Sequence, residues 1–362
     1  MSDITQVHVR KTKIDDFRVV DRPMPIAADG EVVFRVDRFA VTANNVTYAV
    51  FGDAMKYWNF FPSDDPDWGI VPVWGFGEVV ESRCEGVDVG ERFYGYFPMA
   101  THVVVQPAKV TPEGMFDGVA HRRDLHSVYN NYVRVSSDPS YSKELEAEQM
   151  LLRPLFTTSF LIDDFLADNN MFGAHTIVLS SASSKTAYGA AFCLNARETV
   201  RVVGLTSDRN RVFTEGLGCY DQVLTYDEIG SLPTVPTVYV DMAGSSSTRL
   251  AVHTALGDSL LYDCVVGGTH WDEVGGSSTL PGPRPQLFFA PAQVAKRTTE
   301  WGHAGFADRL GASWSAFLAR VVSADAPWMR VTSIEGAEAV ADCFVAQATG
   351  AALPEIGYIA RV

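Results

Sequence analysis

The sequence predicts an α/β protein in two parts: a β-rich part, and a doubly wound parallel sheet with helices on both faces. Two observations predict this division. Residues 1–112 are rich in alternating, strand-like segments separated by turn residues, whereas residues 174–290 alternate between short apolar strands and helical stretches. The length of 362 residues also suits two domains better than one.

Strand signals dominate the first part of the chain. The predicted strands cover 31–41, 69–81, 86–96 and 100–107. Residues 113–145 lack periodicity, and a long aperiodic stretch inside a compact protein is usually functional or disordered. The tyrosines and valines of this segment favour an ordered lid or arm.

The second part of the chain supplies the parallel sheet. Its predicted strands are 176–180, 200–204, 222–225, 237–241, 259–266 and 286–290, with helices at 208–217 and 246–255 between them. Further helices are predicted from residue 144 onward, at 303–322 and at 338–348, and a final strand at 355–362.

Composition narrows the classes of function. A hydrophobic content of 47% provides material for packed cores. No apolar run approaches the roughly 20 residues of a membrane helix, and the first residues lack the basic and apolar regions of a signal peptide. We therefore expect a cytoplasmic protein without a membrane partner. A net charge of −15 opposes a nucleic-acid partner, although it also serves simple solubility.

The five cysteines are scattered and form no Cys-x-x-Cys pair. This spacing opposes both a disulfide framework and a structural zinc site. His270–Glu273 contains metal-binding residue types but lacks a second spaced histidine. The sequence therefore predicts no metal site.

A hydroxyl-rich turn follows the first strand of the parallel sheet. The order strand, turn, helix and second strand is typical of a dinucleotide site, but the usual Gly-x-Gly-x-x-Gly is missing. A helix N-terminus attracts anions, and we expect four side chains to add contacts to a pyrophosphate: Ser183, Ser184, Lys185 and Thr186. An N-capping serine cluster beside a solvated lysine explains the same residues.

The second of these strands is followed by hydroxyl and basic residues. An NAD site usually carries an acidic residue at the end of this strand. Here Asp208 lies beyond that position, among Gly204, Thr206, Ser207, Arg209 and Arg211. A guanidinium binds phosphate bidentately, so the segment favours the 2′-phosphate of NADP(H) over NAD(H). A capped helix with exposed arginines is the alternative.

Two glycines follow the fifth predicted strand. Gly267 and Gly268 have no side chain, so the nicotinamide end of a dinucleotide can lie against their backbone. A plain turn fits these residues as well.

Aromatic residues suggest the substrate side. Six of them lie close together in the chain: Phe51, Tyr57, Trp58, Phe60, Phe61 and Trp68. They suggest the wall of an apolar or aromatic site, and a loop packed on the core is the alternative.

Asn44 and Tyr48 are our candidate catalytic residues, because a donor stabilises the charge that hydride addition builds on a carbonyl oxygen. His121, His126 and Tyr129 are candidates for closing over this site. Solvated surface histidines are the alternative.

Four segments, in their order along the chain, resemble the medium-chain dehydrogenase/reductase superfamily, in particular its zinc-free quinone oxidoreductase and enoyl reductase branch. Residues 43–52 resemble an Asn-Pro-x-Asp segment ending in glycine, and 71–81 resemble a Pro-x-x-x-Gly-x-x-x-x-Gly-x-Val element. Residues 86–95 resemble a Gly-Asp-Arg-Val-x-Gly turn, and 240–244 a strand ending in Asp-x-x-Gly.

The resemblance implies a GroES-like β-rich domain and a Rossmann-type doubly wound parallel sheet domain. The first is expected at 1–155 and 325–362, with an insertion at 113–145, and the second at 156–324. It implies reduction of an apolar or aromatic carbonyl or enone by hydride from NADP(H), in a homodimer.

The departures from the family pattern also carry information. Zinc ligands are lacking at 43–44 and 74–76, so the activity is expected to be zinc-independent. The family's Gly-Gly-Val-Gly turn falls on Ser184–Ala187. This change supports the alternative that the fold has lost hydride transfer and serves as a lyase or a ligand-binding protein.

Overall fold

The computed structural model describes residues 4–266 and 280–362. The chain forms two compact units. The β-rich unit comprises Met1–Leu151 and Arg330–Val362, and the parallel-sheet unit comprises Leu152–Met329. Within the described ranges, no helix has the length and apolarity needed to span a membrane.

Strands predominate up to the start of a long helix. The elements of this part are β1 (Ile4–Arg10), β2 (Lys13–Arg22), β3 (Val32–Val41), α1 (Ala43–Val50), β4 (Trp68–Gly69), β5 (Pro72–Ser82), β6 (Arg92–Pro98), β7 (His102–Val105), β8 (Pro107–Thr111), β9 (Gly114–Asp117), β10 (Asn131–Arg134) and α2 (Glu146–Asp168).

Strands and helices then alternate. The elements are β11 (Thr176–Leu179), α3 (Lys185–Asn195), β12 (Arg201–Thr206), α4 (Arg211–Gly216), β13 (Gln222–Thr225), β14 (Thr237–Asp241), α5 (Ser246–Leu256), β15 (Leu260–Val265), β16 (Gln286–Leu287) and α6 (Ala290–Val321). They are followed by β17 (Arg330–Glu335), α7 (Ala337–Ala348) and β18 (Ile356–Arg361).

The β-rich unit is built on a long, mostly antiparallel sheet. Its strand order is β17-β18-β3-β5-β6-β10-β9-β8, with β7 paired to β3, and a smaller sheet has the order β2-β1-β4. Phe34 of β3 packs against Phe93, Phe97 and Tyr132, with ring centroids 5.6, 5.6 and 5.8 Å away. The C-terminal strand β18 lies between β17 and β3 in the large sheet. Phe344 of α7 packs in the same core as Phe34.

The expected lid at 113–145 is corrected by the structure. β9 and β10 are strands of the main sheet, and the Tyr132 side chain is fully buried. Its hydroxyl donates a hydrogen bond to the carbonyl oxygen of Tyr96 at 2.6 Å. The segment looked aperiodic because these strands are only four residues long and are set by pairing with distant partners.

The parallel-sheet unit confirms the predicted doubly wound sheet. Its order is β13-β12-β11-β14-β15-β16, and every neighbouring pair is parallel. Residues 177–179 and 202–203 are wholly buried, as their continuous apolar runs require. The strand order reverses between β11 and β14, and sheets of this kind bind ligands beyond the carboxyl ends of the strands at such a point.

Three local expectations differ from the structure. Residues 43–50 form α1, for which no element was predicted, and the hairpin of β1 and β2 was not expected. The strand expected at 286–290 covers only 286–287, and Pro291 lies in the first turn of α6, where a proline favours the start of a helix. α6 starts at Ala290 rather than at residue 303 and is kinked at Gly302, which has a φ of 73°.

Candidate functional site

The carboxyl ends of β11 and β14 are joined by a buried hydrogen-bond network. The Ser180 hydroxyl donates to Asp241 Oδ1 at 2.8 Å and accepts from the backbone N–H groups of Met242 and Ala243 at 2.9 and 3.0 Å. The same carboxylate oxygen accepts from the Tyr239 hydroxyl at 3.0 Å. Ser180 and Asp241 are fully buried, so this network fixes the start of the hydroxyl-rich turn.

The turn after β11 is held by backbone contacts. Ser181 has a φ of 48°, in the left-handed region, and its N–H donates to the Tyr226 hydroxyl at 3.1 Å. Ala182 donates its N–H to the carbonyl oxygen of Leu205, and its own carbonyl accepts from the Tyr220 hydroxyl at 2.8 Å. The turn therefore keeps a defined shape without the usual glycines.

The serine side chains of the turn have structural partners. Ser184 is the N-cap of α3, and its Oγ accepts from the N–H of Ala187 at 3.3 Å. Ser183 Oγ accepts from Asn210 Nδ2 at 3.0 Å, which links the turn to the segment after β12. Lys185 and Thr186 form the first turn of α3 and are half-buried. The capping interpretation therefore describes Ser184 correctly and leaves Lys185 as the cation at this helix terminus.

Gly204 has a packing role in the middle of β12. A Cβ atom there would lie 2.8 Å from Ala182 Cβ and 3.0 Å from the Tyr220 ring. Only glycine lets the strand and the turn approach this closely. Gly204 thus supports the turn through the backbone.

The predicted 2′-phosphate residues occupy the end of β12 and the turn after it. Thr206 is 1% exposed, and its Oγ1 has no hydrogen-bond partner among the described residues. Ser207 precedes a short 3-10 turn without capping it through its side chain, and Arg209 is exposed. Arg211 lies further along and binds carboxylates instead: Glu215 and Glu228, each at 3.0 Å. Arg211 therefore pairs with carboxylates in this structure, and its contact with a 2′-phosphate stays a prediction.

The remaining cofactor residues named from the sequence, Gly267 and Gly268, lie outside the described residues, as do residues 270–273. Among residues 4–266 and 280–362, no group of three or more His, Cys, Asp or Glu side chains is arranged to hold a metal ion.

The β-rich unit brings the two candidate catalytic residues into contact. Asn44 and Tyr48 are one turn apart on α1, whose start is fixed because Asn45 accepts from the Thr42 N–H at 2.7 Å and donates to the Pro72 carbonyl at 3.0 Å. Asn44 Nδ2 donates to the Tyr48 hydroxyl at 2.6 Å. Trp74, on β5, donates its indole N–H to the same oxygen at 3.1 Å.

Trp74 is a site residue that sequence reasoning missed. In the sequence, Trp74 lies in a predicted strand and at positions that lack zinc ligands, and neither feature indicates a hydrogen bond to Tyr48. The available signal was a polar-tipped aromatic side chain in a glycine-interrupted strand, where an indole N–H usually needs a buried acceptor.

Tyr48 lies in an aromatic cluster. The buried members are Tyr48, Tyr57, Phe60, Phe61, Ile70 and Tyr96, and Phe51, Trp74 and Tyr129 pack against them. Burial raises the pKa of the Tyr48 phenol above its usual value of 10, and it raises the pKa of Tyr57 too. The hydroxyls of Tyr57 and Tyr129 lie 3.0 Å apart. The cluster thus presents several neutral phenols within an apolar surround.

Two of the expected wall residues pack elsewhere. Trp58 belongs to the main core, enclosed by Gly52 and Gly69, where an added Cβ would lie 2.0 and 2.3 Å from the indole. Trp68 lies under the guanidinium groups of Arg10 and Arg18, 4.5 and 4.3 Å from its ring centroid. The alternative of a loop packed on the core is correct for these two tryptophans.

The side chains expected to close over the site have different positions. Tyr129 joins the aromatic cluster, whereas His121 and His126 are exposed. Between them along the chain, Arg122 is 1% exposed and pairs with buried Asp117 at 3.0 Å. Its guanidinium also donates to the Phe60 carbonyl at 3.1 Å, so this part of the expected lid anchors the aromatic cluster.

Residues 39–352 match the model of a family described as "Protein of unknown function (DUF2855)". The chain belongs to this family. No curated protein matches the chain.

Solved structures share the fold over the whole chain. CurA from Vibrio vulnificus, solved in complex with NADPH, is 14% identical with a TM-score of 0.63, covering 99% of each chain. A quinone oxidoreductase from Coxiella burnetii is 16% identical with a TM-score of 0.54, covering 100% of each chain. A mutant enoyl thioester reductase from Candida tropicalis is 11% identical with a TM-score of 0.57, again covering 100% of each. The chain therefore shares the fold of these proteins, with the β-rich part and the Rossmann-type parallel-sheet part that the resemblance implied.

Proposed function

We propose that the protein is a zinc-independent oxidoreductase that uses NADP(H) to reduce an apolar or aromatic carbonyl or enone compound. The observation that carries this proposal is the turn after β11, at the point where the strand order of the parallel sheet reverses. α3 begins at this turn, with Lys185 as its first residue. A cytoplasmic location and a homodimeric assembly are expectations that rest on the sequence alone.

The parallel-sheet unit supports NADP(H) binding through its chemistry. α3 is 11 residues long and directs its N-terminal backbone dipoles toward the turn, where Lys185 adds a positive charge. Thr206 ends β12 with a buried, unpartnered hydroxyl in the position where NAD proteins carry an acidic residue. Arg209 follows on the exposed turn. Lys185 would hold the pyrophosphate, and Thr206, Ser207 and Arg209 would hold the phosphorylated ribose.

The β-rich unit supports carbonyl chemistry. Bound NADPH supplies a hydride. Tyr48 is a neutral phenol whose hydrogen bond stabilises the negative charge that develops on a carbonyl oxygen when hydride reaches the conjugated carbon. Its proton would pass to that oxygen, and the phenolate would regain a proton from solvent before the next turnover. The aromatic cluster around it would bind the apolar part of the substrate.

Titration with NADPH, followed by tryptophan fluorescence, tests the cofactor assignment. We expect saturable binding that Lys185→Ala weakens by roughly 1–3 kcal/mol, since a charged hydrogen bond to phosphate is lost. Arg209→Ala should weaken NADPH binding far more than NADH binding. Arg201→Ala is the matched control, because Arg201 is exposed at the opposite end of β12 and should affect neither cofactor.

Two outcomes would contradict this assignment. If Arg209→Ala weakens NADPH binding and NADH binding equally, Arg209 does not contact the 2′-phosphate. If the protein shows no saturable binding at millimolar NADPH, the proposed reductase function is wrong. That result would favour the second candidate, a lyase or ligand-binding protein of the same fold. That candidate is supported by the altered turn, in which Ser184–Ala187 stand where the family has Gly-Gly-Val-Gly.

A further inference from the structure

Two buried carboxylates lie on one face of the parallel sheet. Asp241 ends β14 and Asp263 lies in β15, and both side chains are fully buried. Asp263 is in register with Tyr239, two residues before Asp241, so both carboxylates belong to the same face. Arg249 of α5 contacts both of them: its Nη2 donates to Asp241 Oδ2 at 2.5 Å, and its Nε lies 3.2 Å from Asp263 Oδ2. One guanidinium balances only one of these two negative charges.

His253 of α5 can supply the second positive charge. Its ring is fully buried, with Nε2 2.8 Å from Asp263 Oδ2 and Nδ1 2.6 Å from the carbonyl oxygen of Pro281. A carbonyl oxygen only accepts hydrogen bonds, so Nδ1 must carry a proton. The Asp263 carboxylate, ionised beside Arg249, also only accepts, so Nε2 must carry a proton too. An imidazolium therefore satisfies both contacts and the charge of the second buried aspartate.

The other titratable groups near this face leave the charge balance unchanged. Tyr239 donates its hydroxyl to Asp241 at 3.0 Å, and burial raises the pKa of its phenol, so Tyr239 stays neutral. Glu228, on the 3-10 turn packed against α5, pairs with Arg211 at 3.0 Å. The charged side chains of the adjoining turns are exposed to solvent: Asp227, Asp258 and Arg284.

The carbonyl group that His253 contacts belongs to the segment that leads into β16. The prolines at positions 281, 283 and 285 have no N–H group, so this segment has few backbone donors with which to attach itself. Directly after β16, Phe288 donates its N–H to the carbonyl oxygen of Val265 at 2.8 Å. The bond from His253 to Pro281 therefore lies seven residues before a bond that joins this edge of the sheet to β15.

Loss of one proton from His253 must break one of its two hydrogen bonds. A neutral imidazole has a single N–H and a lone pair on the other nitrogen, which repels the lone pairs of a facing oxygen. The carboxylate is the stronger acceptor, because charge-assisted hydrogen bonds are roughly twice as strong as neutral ones. Neutral His253 therefore keeps Asp263 and releases Pro281.

We propose that His253 is a proton-dependent latch, which fastens the Pro281 segment and the edge strand β16 to the parallel sheet while both ring nitrogens are protonated and releases them as pH rises. This device goes beyond the proposed function, since it needs neither cofactor nor substrate. It makes the edge of the sheet firm at neutral pH and loose at alkaline pH.

Two substitutions separate the latch from a packing role. Asp263→Asn replaces an acceptor by a side chain that also donates, so neutral His253 accepts from residue 263 and keeps its Nδ1–H on Pro281. Arg249 then balances Asp241 alone, and the latch should stay closed at every pH. His253→Gln has no titrating group and should also remove the pH dependence. His175→Gln is the matched control, because His175 is exposed in the same unit.

Nuclear magnetic resonance of the full-length protein gives both readouts. At about pH 7, where a solvated histidine is mostly neutral, both ring nitrogens of His253 should be protonated, whereas in Asp263→Asn only Nδ1 should be. The second readout is hydrogen exchange of the Phe288 amide, corrected for the intrinsic rate at each pH. Its protection should fall roughly tenfold between about pH 6 and about pH 9 in the unsubstituted protein and in His175→Gln, as one charge-assisted hydrogen bond is lost. Protection should stay constant in Asp263→Asn and in His253→Gln.

Three outcomes overturn this inference. An unprotonated ring nitrogen of His253 at about pH 7 in the unsubstituted protein rules out the imidazolium. Constant protection of Phe288 across the same pH range rules out the latch, and so does a fall that is equal in Asp263→Asn. Should Asp263→Asn fail to fold, His253→Gln decides the second point, because a fall in protection that persists there does not come from His253. NADPH titration of the same samples reports separately on the proposed function.

Discussion

Single residues in the hydroxyl-rich turn have roles that the sequence could not separate. A serine before a helix serves equally as an N-cap and as a phosphate ligand, because both roles use the same hydroxyl. The structure assigns the cap to Ser184 and joins Ser183 to Asn210. Likewise, Arg211 resembled Arg209 in the sequence, but only the fold shows Glu228 beside it.

The ionisation of Tyr48 gives a prediction at this scale. Burial raises its pKa above the usual 10, so the protonated form that donates a hydrogen bond persists as pH rises. We expect kcat/KM for acetophenone reduction to show no loss from Tyr48 up to about pH 10, and Tyr48→Phe to lower it by roughly 10²–10⁴-fold. The assignment of Tyr48 as the protonated donor would be contradicted if kcat/KM declined with a midpoint below pH 10 in the unsubstituted protein but not in Tyr48→Phe.

At the scale of elements, local patterns predicted the strands whose burial is complete. The bounds of β13 and β14 agree with the expected 222–225 and 237–241, because a run buried on both faces is continuously apolar. α1 was missed because its start depends on a bond from Asn45 to the distant Pro72 carbonyl. β9 and β10 were missed because each is defined by its partner strand and not by its own pattern.

The contact between β6 and β10 gives a prediction for an element. A Cβ atom on Gly95 would lie 2.4 Å from the Tyr132 ring, so one of the two strands must move. Gly95→Ala should lower the free energy of unfolding by about 1–3 kcal/mol in urea denaturation.

Gly311→Ala in α6 is the control for this variant. An added Cβ meets nothing there, and alanine should stabilise the helix by up to about 1 kcal/mol. If Gly95→Ala and Gly311→Ala change the free energy of unfolding equally, the strands around Gly95 can move to accommodate the added Cβ atom.

For the whole molecule, the parallel sheet was the part most accessible from the sequence, and the β-rich unit the least. Each parallel strand carries its own apolar run, but the large sheet pairs β18 with β3, and the residues of the parallel-sheet unit separate these two strands along the chain. The candidate site follows the same rule. Asn44 and Tyr48 are close in sequence and were found, whereas Trp74 arrives from another strand and was not.

Stability against acid gives a prediction for the molecule as a whole. Burial, together with Arg18 and Arg22, lowers the pKa of His8 to about 4, below its usual 6.5. The unfolded chain therefore binds this proton first as pH falls, so the contribution of His8 is full above pH 6.5 and is lost progressively toward pH 4.

Thermal unfolding of the protein and of His8→Gln measures this contribution. The stability difference between them should shrink as pH falls through that window. A difference that stays constant with pH would mean that His8 titrates normally in the folded protein.

The position of β18 between β17 and β3 has a consequence for biosynthesis. While a ribosome is still translating the parallel-sheet unit, the Phe39–Val41 end of β3 lacks its partner β18, and the space that Phe344 fills stays open. The nascent β-rich segment must then be shielded from aggregation until translation has passed residue 361. Holding chaperones should thus associate with it for longer than with a segment of equal length whose strands are contiguous in the chain.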